Sequence, residues 1–371
     1  MSLTDSKSPN LHTSPEFDTP AVVVDLDAVE TNITRLMNSM SRFSGVSVRP
    51  HLKTAKSPEF AKMLLDKGAR GICVAKVSEA EVFAAAGITD ILITTEVTGK
   101  TKISRLMQLH SICPDLKVVV DNLQVAQQLN DACIRTLRDH LNVFIDLDVG
   151  QNRTGVSTLE DALKLAKAIK DFKHLNLIGL QGYEGHLQHL EAANKKELCQ
   201  EAMAKLTAVA DALRAQGHKI STVTTGGTGT AEICASHEGI NEVQPGSFIF
   251  MDTSYRNALN GTYQNALTVH ATVVSIKSPS RVIVDAGTKS LSVDMGFAEV
   301  ADHRHWSYAP AGDEHGIVES KAGDIRLVPG DRVVLIPSHI DTTVALHDRY
   351  QLTRQGIFEG VLAITARGKV Q

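Results

Sequence analysis

Lys53 lies in Arg49-Pro50-His51-Leu52-Lys53-Thr54, directly after the β-branched run Val46–Arg49. A lysine at the end of a strand can form a Schiff base with an aldehyde once burial and neighbouring cations lower its pKa, and Arg49 and His51 are near in sequence. Two glycine turns supply a second chemistry, Gly226-Gly227-Thr228-Gly229-Thr230 and Pro245-Gly246-Ser247. Glycines let the backbone approach a ligand closely, and the amides of such a turn at a helix start point at an anion. The first turn has neither the lysine of a P-loop nor the spacing of a dinucleotide fingerprint. Coupled to the second turn it points to a phosphate, and a phosphate beside a reactive lysine points to pyridoxal 5′-phosphate (PLP). A further pair, His339 and Asp341, would share one face of an extended strand and so could share a cation with water.

These groups need a scaffold that brings distant segments together. From residue 28 onward, β-branched runs alternate with segments of helical periodicity such as Asp161–Lys170 and Leu190–Gln216. The expected strands are Val46–Arg49, Gly71–Ala75, Asp90–Thr94, Lys117–Val120, Asn142–Asp146, Asn176–Gln181, Ser221–Thr225 and Glu242–Gln244. Eight is the number that closes a (β/α)8 barrel, with a doubly wound open sheet as the rival arrangement. A barrel carries its site at the strand C-termini and its phosphate site after strands seven and eight. Those are the places of the two glycine turns.

The reading is therefore an α/β chain with a barrel over residues 28–255. An antiparallel β domain follows over 256–371, where Leu267–Ile276, Ser280–Asp285, Asp331–Pro337 and Gly360–Ala366 alternate. Residues 19–27 are expected to pair with the β domain, and residues 1–18 form an N-terminal extension. Lys and Arg number 38 against 42 Asp and Glu, a balance without the basic footprint of a nucleic-acid or anionic-membrane binder. No apolar stretch approaches the ~18 residues of a membrane helix. The five cysteines form no CxxC pair, so a cytoplasmic protein with reduced thiols is expected.

Taken together, the motifs resemble those of the D-threonine aldolase and D-serine dehydratase group of fold-type III, alanine racemase-like PLP enzymes. They are Thr19-Pro20 with Asp25-Leu26-Asp27, the Lys53 segment, Ser78-Glu79-Ala80-Glu81, Asp148 to Gly155, Gly182 to His189, the two glycine turns, Asp313-Glu314-His315-Gly316 and Pro337-Ser338-His339-Ile340-Asp341. The resemblance implies a homodimer whose active sites lie between one subunit's barrel and its neighbour's β domain. It assigns Lys53 to the cofactor's aldehyde carbon, Arg153 to its phenolic oxygen, Tyr183 to its ring, and Thr225, Gly226, Gly227, Thr228, Gly246 and Ser247 to its phosphate, with His51 among the cofactor contacts. His339 and Asp341 take the metal positions. Dehydratases of the group have His-X-Cys there with zinc, whereas the aspartate of this chain suits Mn²⁺, Mg²⁺ or Ca²⁺. Two departures are Ala55, where the group has His, and Phe248, where it has Tyr; a polar group missing at either place would retune substrate preference.

The implied reaction is cleavage of a D-β-hydroxy-α-amino acid to glycine and an aldehyde, with His186, His189 or a metal-bound water as general base. Dehydration of D-serine or D-3-hydroxyaspartate to a keto acid and ammonia uses the same parts and is the alternative. Racemisation needs a second base, for which Tyr255, Tyr263, Tyr308 and Tyr350 are candidates. A non-catalytic PLP carrier would need neither the β domain nor the His-X-Asp pair, and a phosphate-binding barrel enzyme without PLP would be colourless. His347 and Asp348 are outer candidates near the metal pair, and Asp313, Glu314 and His315 make an ionisable loop.

Overall fold

The structure is a computed structural model that describes residues 17–138, 140–190 and 192–371. Of the expected N-terminal extension only Phe17 and Asp18 fall within them. The chain forms two compact units. Among the described residues, one comprises Asn32–Ile249, Asn257–Thr262 and Thr365–Gln371; the other comprises 17–31, Phe250–Arg256 and Tyr263–Ile364.

The strand β1 (Ala21–Asp25) and the helix α1 (Leu26–Met40) open the described chain. All eight expected barrel strands are present, as β2 (Ser47–Val48), β3 (Ile72–Val74), β4 (Ile91–Ile93), β5 (Lys117–Val120), β6 (Leu141–Asp146), β7 (Leu175–Gln181), β8 (Thr222–Thr225) and β9 (Glu242–Val243). They pair in the order β2-β9-β8-β7-β6-β5-β4-β3. A parallel bridge between His51 and Cys73 joins the two ends. There Cys73 N donates to Pro50 O at 2.9 Å and Leu52 N to Cys73 O at 2.8 Å.

Helices α2 (Pro58–Asp66), α3 (Val77–Ala85), α4 (Lys100–Ile112), α5 (Leu123–Arg135), α6 (Leu159–Asp171), α7 (Ala192–Ala215) and α8 (Ala231–Ala235) lie between successive strands. Helix α6 shows why they form. Thr158 caps it by accepting from Asp161 N at 3.1 Å, Glu160 and Asp161 sit in the first turn and Lys170 in the last, and Ala162, Leu165, Ala166 and Ile169 supply the buried face. Cys73, Leu92, Val119 and Phe144 form one hydrophobic cluster across four adjacent strands.

The second unit is antiparallel apart from the β1–β16 pair. Its strands are β1, β10 (Leu267–Ser278), β11 (Arg281–Val284), β12 (Glu299–Val300), β13 (Trp306–Pro310), β14 (Gly316–Ser320), β15 (Arg332–Ile336), β16 (Arg349–Arg354) and β17 (Ile357–Ala363). Six of them close a ring, β10-β11-β14-β13-β12-β15, because β10 pairs with both β11 and β15. Strand β1 pairs with β10 and β16, so residues 21–25 do join the antiparallel unit. The last strand runs three residues earlier than Gly360–Ala366. Gln355 and Gly356, both at positive φ, make a two-residue hairpin that starts it at Ile357.

Candidate active site

The loop after β2 is held from several sides. His51 Nδ1 accepts from the backbone N–H of Lys53 at 3.3 Å, and its Nε2 lies 3.0 Å from Thr94 Oγ1, which itself donates to Val74 O at 3.2 Å. With Nδ1 accepting, the proton sits on Nε2. Burial, and then the charges of Lys53, Lys56 and Arg153, push the His51 pKa well below its ordinary value. The ring is therefore neutral with both nitrogens engaged, which makes it a support for the Lys53 backbone. Lys53 itself is half-buried.

Arg49 points elsewhere. It is fully buried, with Nη1 2.6 Å from Asp90 Oδ1 and Nε 3.0 Å from Glu242 Oε1, and Lys117 joins Asp90 at 2.6 Å. These partners stand at the beginnings of β4, β5 and β9, the end of the barrel opposite Lys53. The expectation that Arg49 helps to tune Lys53 is thus corrected: its charge is spent on Glu242 and Asp90.

The loop after β6 brings Arg153 over the Tyr183 ring, 5.6 Å from its centroid, a cation–π distance. Asp148 Oδ1 shapes this loop by accepting from Gly150 N at 2.9 Å and Asn152 N at 3.0 Å. His186 packs against Gly150, where a Cβ would stand 3.3 Å from its ring. His186 and His189 are both exposed.

The turn after β8 is tightly interlocked. Gly226 takes φ +77°, and a Cβ at Gly229 would fall on the Gln188 carbonyl. Gly226 N donates to Glu184 Oε2 at 3.3 Å, Gly227 N to Thr230 Oγ1 at 3.0 Å and Gly229 N to Gln188 Oε1 at 2.9 Å. Three amides that a glycine turn would offer to an anion are thus satisfied by side chains behind it. Thr228 faces the second turn, where its Oγ1 accepts from Gly246 N at 3.3 Å and Phe248 N at 3.0 Å. A Cβ on Gly246 would lie 2.7 Å from His51 O, so this turn packs directly on the Lys53 segment. Ser247 is buried in a short 3-10 turn. The loops bearing Lys53, Arg153, Tyr183, Thr228 and Ser247 all leave the C-terminal ends of their strands.

Sequence reasoning missed an acidic pair beside these loops. Asp146, at the end of β6, accepts from Gln181 Nε2 at 2.9 Å and Thr154 Oγ1 at 3.1 Å. Burial, and then the nearby Glu96 carboxyl, push Asp146 up to about 8. Burial, with the charge of Asp121, raises Glu96 as well, against the charge of Arg153. The two acids hold a proton between them at neutral pH.

His339 and Asp341 belong to the antiparallel unit. They do not alternate along a strand, because α9 (Thr253–Ala258) is followed much later by a short helix, α10 (Ile340–Val344), for which His339 is the N-cap. His339 Nδ1 lies 2.7 Å from Asp294 Oδ2, a partner the sequence did not reveal. Against a burial cost, hydrogen bonds from Ser292, His339 and Thr342 hold the Asp294 carboxyl below the ordinary range. Asp252 Oδ2 accepts from Ile340 N at 3.0 Å, and burial, with the charge of Asp341, pushes Asp252 up to about 6. Among the described residues no three His, Cys, Asp or Glu side chains form a ready-made metal cage. An imidazole and a carboxylate are what the chain offers, with all five thiols buried elsewhere as free cysteines.

The remaining candidates have structural partners. His347 Nε2 donates to Ser290 O at 2.8 Å. Glu314 and Asp313 are exposed, and Glu314 pairs with Lys289 at 2.6 Å. Tyr255, Tyr263, Tyr308 and Tyr350 are all buried in the antiparallel unit, Tyr308 donating to Ala286 O at 2.9 Å and raised by burial to about 12. Ala55 and Phe248 are buried.

Comparison with known proteins agrees with this geometry. Residues 24–254 match the family described as alanine racemase, N-terminal domain, and residues 266–353 match a serine dehydratase domain. The chain is 39% identical to a D-threonine aldolase of Arthrobacter sp over 95% of this chain and 93% of that one. It is 37% identical to a 3-hydroxy-D-aspartate aldolase of Paracoccus denitrificans, again over 95% and 93%. The crystal structure of D-threonine aldolase from Filomicrobium marinum superposes with a TM-score of 0.91 at 34% identity, covering 95% of this chain and 97% of that one.

Proposed function

The chain belongs to the alanine racemase-like family, and on that premise we propose that it is a PLP- and divalent-metal-dependent lyase that cleaves D-β-hydroxy-α-amino acids to glycine and an aldehyde. The observation that carries the reading is the convergence of five barrel loops at one end of the strands, beside a lysine held by a neutral histidine. The residues fit the cofactor. Gly246 lies against His51 with no room for a side chain, and Thr228 links the two turns that would meet the phosphate.

Lys53 would hold PLP through its aldehyde carbon, Arg153 would face its phenolic oxygen and Tyr183 its ring, while the turns Thr225 to Thr228 and Gly246 with Ser247 would frame its phosphate and the Thr228 hydroxyl would meet it. When bound, the cofactor supplies an electron sink for the pair that Cα–Cβ cleavage leaves on Cα. His51, with both nitrogens occupied, orients Lys53 and moves no proton. His186 or His189 takes the proton from the substrate β-hydroxyl at a ring nitrogen, and their exposure keeps them open to exchange with water.

His339 and Asp341 fit a divalent cation whose other positions are filled by water. With Nδ1 turned to Asp294, the imidazole keeps Nε2 for a ligand role. Such an ion would supply Lewis acidity toward a hydroxyl oxygen. A carboxylate in place of a thiolate suits Mn²⁺, Mg²⁺ or Ca²⁺, and that substitution is the ground for placing these ions ahead of Zn²⁺. No described helix is long and apolar enough to cross a membrane, and five buried free thiols suit a reducing cytoplasm. The homodimer is part of the proposal and is checked by light scattering.

The second reading, dehydration, is favoured by the match of residues 266–353 to a serine dehydratase domain. Incubating the PLP-loaded protein with D-threonine and D-serine, with Mn²⁺ or with EDTA, separates the two. Glycine and acetaldehyde that disappear with EDTA are expected. Keto acid and ammonia instead would establish the dehydratase.

A further inference from the structure

Glu184 is a fully buried carboxylate for which the chemistry above has no use. Its Oε2 accepts from Thr225 Oγ1 at 2.8 Å and Gly226 N at 3.3 Å, and its Oε1 accepts from Gln188 Nε2 at 3.0 Å and from the Thr230 hydroxyl. Gln188 extends the reach of this carboxylate to Gly229 N, and Thr230 extends it to Gly227 N. Every amide that Gly226, Gly227 and Gly229 present is therefore held, directly or through one side chain, by Glu184. Lys195 closes the arrangement by donating to Gln188 O at 3.1 Å.

A buried carboxylate is costly even when donors surround it, and apolar packing often holds a turn equally well. The cost is intelligible where hydroxyls and amides must be fixed to a fraction of an ångström. With Gly246 N and Phe248 N occupying its lone pairs, the Thr228 hydroxyl has its proton left for an acceptor outside the turn. Glu184 also follows Tyr183 in the chain, so one loop governs both places.

We infer that Glu184 is a positioning residue for a phosphate-bearing ligand: it sets the turn after β8 so that Thr228 meets the phosphate while Tyr183 meets the ring. The inference rests on the PLP reading above.

The test compares PLP with pyridoxal, which lacks the phosphate, by absorbance titration of cofactor-free protein. E184Q keeps size and burial but sets an amide NH₂ against donors. In E184Q the Kd for PLP should rise at least tenfold while that for pyridoxal stays within twofold of wild type. T230V, which removes the hydroxyl between Glu184 and Gly227, should show a smaller loss of about threefold or more with the same selectivity for phosphate. It decides alone if circular dichroism shows E184Q to be unfolded. Folded variants that bind PLP as wild type does, or that lose PLP and pyridoxal equally, overturn the inference. A wild-type protein that binds PLP no more tightly than pyridoxal overturns the phosphate reading itself, before any variant is made.

Discussion

The loop that carries Lys53 is fastened by one buried ion pair, and breaking it should be felt in both stability and cofactor binding. Lys56 sits at φ 48° with Nζ 2.6 Å from Glu79 Oε1, the side chains being 10% and 2% exposed. Glu79 Oε2 also accepts from Ala75 N at 2.9 Å and Lys76 N at 3.1 Å at the start of α3, and Lys56 O accepts from Ala366 N at 3.0 Å. Removing one partner of such a pair strands a buried charge and costs about 3–5 kcal/mol, whereas removing both charges costs far less. For a unit of this size 1 kcal/mol moves a melting temperature by about 2–4 °C, so Lys56→Met should lower the barrel transition by about 10 °C.

The readouts can be separated. Trp306, the single tryptophan, lies in the antiparallel unit, so its fluorescence follows that unit, while far-UV circular dichroism is weighted to the barrel helices. In the variant Glu79 is left buried without its cationic partner, held only by the Ala75 and Lys76 amides. The double variant Lys56→Met, Glu79→Gln should recover more than half of the loss. A single variant that melts within 3 °C of wild type, or a double variant no better than the single one, would refute the reasoning.

Two further predictions concern Asp146 and Asp294. Asp146, raised to about 8, keeps a proton that the unfolded chain releases above about pH 4, so wild-type stability should decline as pH rises between those values and level off above. Asp146→Asn should remove most of that decline, and parallel melting profiles of the two proteins from pH 5 to pH 8.5 would count against a protonated Asp146. Asp294→Asn should weaken Mn²⁺ binding about 10–100-fold, read by electron paramagnetic resonance, because the amide no longer fixes His339 with its Nδ1 proton inward. Unchanged Mn²⁺ affinity would remove Asp294 from the site.

What the sequence disclosed, and what it hid, follows from the range of the forces involved. The barrel strands were legible because each is a short, largely apolar run between helical segments, and the two glycine turns were legible because only glycine fits their backbones. The antiparallel strands β12, β13, β14 and β16 were not. Arg349–Arg354 carries charge at both ends, Trp306–Pro310 ends on proline, and Glu299–Val300 is two residues long, so their pairing is decided by their partners, β1 and β17 for the first and the ring for the other two. His-X-Asp was read with the period of a strand, but the helix that begins at Ile340 places the pair differently, with Asp252 receiving Ile340 N from 88 residues away.

The same limit explains the missed acids. Glu184, Asp146 and Asp294 look like any surface carboxylate in sequence, and each is defined by donors separated from it by 8 to 48 residues, namely Thr225, Thr154, Gln181, His339 and Thr342. Arg49 shows the converse error. Two residues from His51 and four from Lys53, it looked like part of their electrostatic setting. Its guanidinium instead reaches Glu242 and Asp90 at the other end of the barrel, and Gly71 makes room for it where a Cβ would clash. Proximity in sequence is therefore a poor guide to charge coupling in a barrel, because successive side chains on a strand point to opposite faces and a long one such as Arg49 reaches partners on neighbouring strands.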